Sequence, residues 1–330
     1  MAANLTPQYL KAEEEYRRAT TTEEELRCLQ VMLREIPKHK SSEKLQSDLK
    51  QKISRAKKLL DAERASPKKG HGVRILRQGA GTAVVIGGPN SGKSQLVRSL
   101  TRATPDVAPY PFTTHAPLPG MMPWEDVMVQ LIDTPPITAE HFEPYMDGLI
   151  RGADLALLMV DLGDDAGVEQ LQEVLDRLSD RKTRLARTSR LDDEDVGISY
   201  TQAFLVPNKI DLAGATERLE LLHELAPVDF PEYVISAVHG TGLETLREAI
   251  FRSLNVVRVY TKLPAAKAAD MERPFTVRRG GTVLEVAELV HKDFAQHLKF
   301  ARVWGTGVHD GTPVKGDHVV HDRDIVELHV

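Results

Sequence analysis

The chain has one cysteine, Cys28, in 330 residues. A disulfide framework is therefore excluded and a reducing compartment is expected. Cys28 lies in a helical-looking stretch and reads as a small apolar packing residue rather than a reactive thiol. Long hydrophobic runs are also missing: the apolar run Leu155 to Val160 is far too short to span a bilayer. The N-terminus carries acids early (Glu13, Glu14, Glu15) and has no apolar signal core, so a cytoplasmic protein without membrane association is expected. The charge balance is slight, 43 Lys and Arg against 48 Asp and Glu, a formal net of −5, so no global attraction to nucleic acid follows. Six histidines fall between His291 and His329, but their spacing fits no metal-ligand pattern, which favours surface and turn roles. No internal repeat is evident.

Hydrophobic content of 41% and charged content of 28% are those of a globular protein long enough for more than one domain. Four short segments carry the chemistry. They are Gly87-Gly88-Pro89-Asn90-Ser91-Gly92-Lys93-Ser94, Pro111-Phe112-Thr113-Thr114, Asp133-Thr134-Pro135-Pro136 and Asn208-Lys209-Ile210-Asp211. The first matches a phosphate-binding loop and follows the apolar run Thr82–Ile86, the strand–loop–helix context that this motif requires. Its backbone N–H groups would converge on phosphate oxygens, and the following helix, with Gln95 in its first turn, adds its positive end. Lys93 should bridge the β and γ phosphates and the Ser94 hydroxyl should ligate Mg²⁺. Thr114 could complete the Mg²⁺ shell when GTP is bound, and Asp133, ending an apolar strand, could hold the ion through water.

The last segment reads the base. The Asp211 carboxylate can accept from guanine N1–H and the 2-amino group, which adenine does not offer there. Hydrogen bonds to a charged acceptor are among the stronger ones, so the discrimination can be large. Asn208 can tie loops together and the Lys209 stem can lie over the purine. A backbone N–H of Ser236, Ala237 or Val238 could reach guanine O6. Together these residues predict a site for GTP and GDP, with Lys93, Thr114 and Asp133 as the groups acting in hydrolysis.

Three segments are expected. Residues 1–72 read as a basic helical arm and linker. Thr6-Pro7 is a start signal, Thr22 and Glu25 a capping box, and two apolar stripes form an antiparallel hairpin. Arg34 to Arg77 holds 14 Lys and Arg against 5 Asp and Glu. That excess is either a solvated helix face or an RNA or ribosome contact. Residues 73–255 alternate strands (Ala83–Ile86, Val127–Ile132, Leu155–Val160, Ala203–Val206, Tyr233–Ile235) with helices, as a mostly parallel α/β sheet does. Arg181 to Gly197 reads as an exposed loop. Residues 256–330 read as an α+β domain, with strands at Val257–Tyr260, Phe275–Val277, Ala301–Trp304, His318–Val320 and Ile325–His329. A helix is expected over Val283–Leu298, with turns at Gly311, Gly316 and Asp324.

The Tyr110–Thr114 segment, the Asn208–Asp211 motif, the basic helices and the C-terminal segment resemble the Obg-like GTPases, most closely the developmentally regulated GTP-binding proteins. The C-terminal segment is similar to a TGS domain, a ubiquitin-like β-grasp module. The resemblance implies a P-loop GTPase fold, Thr114 as the Mg²⁺ ligand of the pair, and action on or near ribosomes. It also has departures. Members of the family in eukaryotes and archaea carry a lobe inserted in the GTPase domain, for which residues 133–208 leave no room beyond the 181–197 stretch. Ile137 stands where Ras-like enzymes place a water-orienting glutamine, and Pro136, which lacks an N–H, replaces a γ-phosphate-sensing glycine. Asn90 is the residue through which related GTPases hold K⁺, or it simply stabilises its loop. The favoured reading is a slow GTPase switch on ribosomes or RNA. One rival is a GTP-regulated module whose TGS domain binds a protein, and another a phosphate-transferring metabolic enzyme, against which the base-reading motif argues.

Overall fold

The N-terminal helices follow from their caps and apolar stripes. The computed structural model of the chain describes residues 6–19, 21–36, 42–65, 75–101, 117–195, 197–264, 266 and 268–330. Helix α1 (Pro7–Arg18) starts as expected: the Thr6 side chain accepts a hydrogen bond from Tyr9 N–H, with Pro7 at the first helical position. Helix α2 (Thr22–Glu35) is capped one residue earlier than the expected box, because Thr21, not Thr22, accepts from Glu24 N–H at 3.2 Å. That register keeps Glu23, Glu24 and Glu25 in the first turn, beside the positive end of the helix. Helix α3 (Glu43–Ala65) completes the group.

The expected hairpin is thus part of a three-helix group. Tyr9 and Ala12 of α1 join Leu29, Met32 and Leu49 in one apolar cluster. Cys28, on α2, is buried, as expected of a small apolar residue. Lys52 faces the group: its Nζ donates to Tyr16 Oη at 3.1 Å, whereas Lys50, Arg55, Lys57 and Lys58 are exposed.

The central sheet runs β2-β3-β1-β4-β7-β5, with β6 beside β7. Its strands are β1 (Thr82–Gly87), β2 (Leu118–Trp124), β3 (Val127–Asp133), β4 (Leu155–Asp161), β5 (Thr183–Ala186), β6 (Arg190–Leu191) and β7 (Ser199–Asn208). β3, β1, β4, β7 and β5 are parallel neighbours; β2 and β6 pair antiparallel. β1 and β4 are buried throughout, as the strands of a sheet covered on both faces must be. Helices α4 (Lys93–Leu100) and α8 (Leu243–Ser253) cover one face. On the other lie α5 (Met146–Gly152), α6 (Gly167–Asp180) and α7 (Ala215–Leu225). Among the described residues no helix is long and apolar enough to cross a membrane.

Three expectations change here. β2 was hidden by Pro119, Gly120 and Pro123; it is an edge strand, the place in a sheet that tolerates proline. The 181–197 stretch is not a plain loop: it contains β5 and β6, and Leu191 is buried against the N-terminal helices. Its acids serve local turns, Asp192 Oδ1 accepting from Glu194 and Asp195 N–H. Tyr233–Ile235 is not a strand. It runs beside the end of β7 through Tyr233 N–H to Leu205 O (2.9 Å) and Ile235 N–H to Pro207 O (2.8 Å), too short to form a full ladder.

The C-terminal region forms a second sheet, ordered β11-β10-β12-β8-β9. Its elements are β8 (Val256–Thr261), β9 (Asp270–Arg278), α9 (Val283–Val290), α10 (Lys292–His297), β10 (Phe300–Trp304), β11 (Thr312–Val314) and β12 (Asp324–His329). The single expected helix breaks at His291, which is extended and recaps α10 by accepting from Asp293 N–H at 3.2 Å. His318–Val320 contributes only a bridge from Val319 to Thr282, and β11 takes the expected strand's place in the sheet. Asp324 is no loose turn: buried at the head of β12, its carboxylate accepts from Thr306 and His321 N–H.

Candidate nucleotide site

The phosphate loop is shaped by what packs behind it. β1 delivers Gly87 at φ 151°, where a Cβ would lie 2.6 Å from Met159 O. Gly92, at φ 93°, caps α4, and a Cβ there would lie 2.2 Å from Asn208 Nδ2. Glycine is the residue that meets both demands. Asn90 takes φ 57° at the loop's tip. Ser91 Oγ donates to Gly88 O at 2.9 Å and closes the turn.

The carboxyl ends of the central strands open onto a cleft of about 890 Å³, lined by Pro89, Asn90, Lys93, Ser94, Asp133 and Lys209 among others. This is where open parallel sheets bind ligands. Lys93 is folded back, its Nζ donating to Gly88 O (2.6 Å) and Gly87 O (3.1 Å). Burial lowers its pKa to about 8, against the pull of Asp133. Ser94 Oγ donates to Asp133 Oδ2 at 2.6 Å, while Asp133 Oδ1 is buried without a hydrogen-bond partner among the described residues. Burial pushes the Asp133 carboxyl above its ordinary range. A hydroxyl and an under-satisfied carboxylate are hard oxygen donors of the kind that Mg²⁺ takes. Gln95 also lines the cleft and donates to Ser99 Oγ at 3.2 Å. Pro111, Phe112, Thr113 and Thr114 lie outside the described residues.

The segment after Asp133 is stitched to β1. Thr134 Oγ1 donates to Val85 O at 2.7 Å and Ile137 N–H to Gly87 O at 3.1 Å. Pro135 and Pro136 line the cleft, but the Ile137 side chain is buried in the core among residues of α5 and β4.

Asn208 joins the two halves of the site. Its Nδ2 donates to Ser91 O at 3.0 Å, and its Oδ1 accepts from Ala237 N–H at 2.9 Å. Lys209, at φ 71°, pairs with Asp161 Oδ2 at 2.5 Å. Asp161 was not anticipated; like Asp133 it ends an apolar strand, and that was the available signal. Asp211 stands beside the cleft rather than in its lining. A hydrogen bond from Ser236 and the nearby His239, 3.5 Å from Oδ2, hold its carboxyl below the usual range. Of the three expected donors, Ala237 N–H is taken by Asn208 and Ser236 N–H by Thr241 O. Gln170 of α6 is a second residue that no motif signalled. Its Oε1 is buried without a partner among the described residues, 2.6 Å from where a Cβ on Gly88 would sit.

Residues 82–189 match the family described as 50S ribosome-binding GTPase, and residues 257–330 match the TGS domain. An uncharacterised GTP-binding protein of Methanocaldococcus jannaschii is 28% identical over 362 residues, spanning 93% of this chain and 92% of its own. The developmentally-regulated GTP-binding protein 2 homolog of Dictyostelium discoideum is 26% identical, spanning 92% and 98%. Developmentally-regulated G-protein 2 of Arabidopsis thaliana is 25% identical, spanning 92% and 90%. Each alignment is longer than the 330 residues of this chain, so these relatives carry insertions that it lacks.

Proposed function

We propose that this chain, a GTPase with a C-terminal TGS domain that belongs with the developmentally regulated GTP-binding proteins, is a slow GTP-driven switch acting on ribosomes or RNA. One observation carries the site assignment. Asn208 fastens the phosphate loop to the loop after Ile235, beside the cleft that Lys93, Ser94, Asp133 and Lys209 line and next to which Asp211 stands. In this reading Lys93 turns from the Gly87 and Gly88 carbonyls to the β and γ phosphates of GTP, exchanging neutral acceptors for charged ones. Ser94, Asp133 through water, and Thr114 are the residues that would hold Mg²⁺, which supplies neutralisation of charge on the phosphates. Asp211 reads guanine, with the Lys209 stem over the purine and Val238 N–H directed at O6.

The slow rate follows from two residues of the segment after Asp133. Ile137 is buried and Pro136 has no N–H, so neither orients the attacking water. Asn90 offers one neutral oxygen at the mouth of the cleft, a donor suited to K⁺, which would offset developing charge there. We assign residues 1–72 to the helical unit, 73–255 to the GTPase unit and 256–330 to the TGS unit. The RNA or ribosome contact is assigned to the outer face of α3, where Lys50, Arg55, Lys57 and Lys58 are exposed together. Lys52, directed at Tyr16, is not part of it. The test is ribosome co-sedimentation across a salt series. Replacing those four cations by glutamine should flatten the salt dependence by about four counterions' worth and leave GTP hydrolysis by the isolated protein unchanged. An unchanged salt slope would move the contact to the TGS domain.

A further inference from the structure

The β2–β3 hairpin ends on the proposed metal site, since Asp133 is the last residue of β3. We propose that Arg258, from the C-terminal domain, is a positioning residue for GTP hydrolysis: it grips this hairpin by its turn and thereby steadies Asp133 against Ser94. The proposal rests on the nucleotide reading above.

Arg258 is on β8 and only 5% exposed. Its guanidinium is shared between two domains. On its own side, Nη2 and Nε donate to Asp322 Oδ2 (2.7 Å) and Oδ1 (3.1 Å). On the other, Nη1 donates to the Glu125 carboxylate and to Asp126 Oδ1 (2.9 Å), the two residues of the hairpin turn. Tyr260 Oη donates to Asp126 Oδ2, and Arg323 Nη2 to Glu125 Oε2 at 2.9 Å. Aromatic packing backs the grip. Trp124, the last residue of β2, stacks on Phe251 of α8 with centroids 6.1 Å apart, and the Arg258 guanidinium lies 5.5 Å from the same Phe251 ring. A single exposed ion pair would hold little. A buried planar fork shared among three carboxylates holds geometry as well as charge.

The hairpin can transmit that restraint. β2 and β3 pair without a break from Trp124↔Val127 to Leu118↔Asp133, so the turn and Asp133 are opposite ends of one ladder. β3 is also held by β1 through Val85↔Asp133, which limits how far Asp133 can stray when the grip is lost.

The full-length variants Asp126→Asn, Tyr260→Phe, Arg258→Lys and Arg258→Ala test this, with kcat and KM for GTP, GDP affinity and melting temperature as readouts. Asp126→Asn and Tyr260→Phe should melt close to the parent, bind GDP within about twofold of it, and lose kcat by about three- to tenfold. That is less than the hundredfold that a misplacement of about 1 Å can cost, because β1 still holds β3. Arg258→Lys keeps the charge but not the fork, and should also lose kcat without losing GDP. Unchanged kcat in Asp126→Asn, Tyr260→Phe and Arg258→Lys overturns the proposal. So does a parallel fall of kcat and GDP affinity, the mark of a merely structural role. If Arg258→Ala does not fold, the conservative variants decide. If the unmodified protein does not bind GDP, the nucleotide reading itself fails.

Discussion

Asn208→Ala removes a side chain that spans the phosphate loop and the loop after Ile235. Two hydrogen bonds go with it, to Ser91 O at 3.0 Å and from Ala237 N–H at 2.9 Å. Asn208 is only 2% exposed, so the truncation leaves a buried carbonyl and a buried N–H without partners. Each such group costs about 1–3 kcal/mol. Because the cleft adjoins, water can reach part of the gap, and the lower half of that range applies. Together the two losses come to about 2–4 kcal/mol, on the order of 30- to 1,000-fold in affinity if the loss falls mainly on the ligand-organised loops. Titration of a fluorescent GDP analogue, with melting curves of the free and GDP-bound variant, reads both parts. The variant should bind GDP at least about thirtyfold more weakly while the free protein loses less than the complex. A folded variant binding GDP within about threefold of the parent would refute the claim that Asn208 joins the two halves of the site.

Two further outcomes follow from particular groups. Burial, with Arg151 adding to it, lowers the Lys52 pKa to about 8, below its unfolded value of about 10.4. The unfolded chain therefore binds more protons between those values, so stability should rise as pH climbs from about 8 to about 10.4. Tyr16 does not titrate in that window, since burial pushes its pKa up to about 12. Lys52→Met should reduce the rise, leaving the share of Lys93, whose pKa burial also lowers to about 8, and should stabilise the protein at pH 7; urea titrations at pH 7, 8.5 and 10 check this, and an unchanged rise contradicts it. Hydrolysis should be faster in K⁺ than in Na⁺, and Asn90→Ala should abolish the difference. Equal rates in the two salts for the parent would remove the potassium role from Asn90.

The strand–loop–helix around residues 82–100 was legible because its glycines answer to close backbone approach, which leaves a local pattern in the chain. Asn208 was legible as a tie between loops, though not what it ties. The Ile137 side chain could be named as unable to orient water, but its burial in the core was not visible. β2 stayed hidden because an edge strand tolerates the prolines that usually exclude strands. β5 and β6 were masked by the charges of residues 181–197, which decorate turns around a short buried pairing. Asp161, Gln170 and the Arg258 grip carry no motif at all. What each of them meets, Lys209 for Asp161, Gly88 for Gln170 and Glu125 for Arg258, lies far away in sequence, and only the folded chain brings them together.

The central claim is that Asp211 reads guanine, and a base swap tests it most directly. Asp211→Asn exchanges a carboxylate that accepts from guanine N1–H and the 2-amino group for an amide that can donate to a 2-oxo group. Competition binding of GDP and XDP to the parent and the variant is the measurement. The parent should prefer GDP, and Asp211→Asn should weaken GDP binding and raise XDP acceptance. A variant that retains the parent's affinity for GDP and still rejects XDP would contradict the assignment of this cleft to guanine nucleotides.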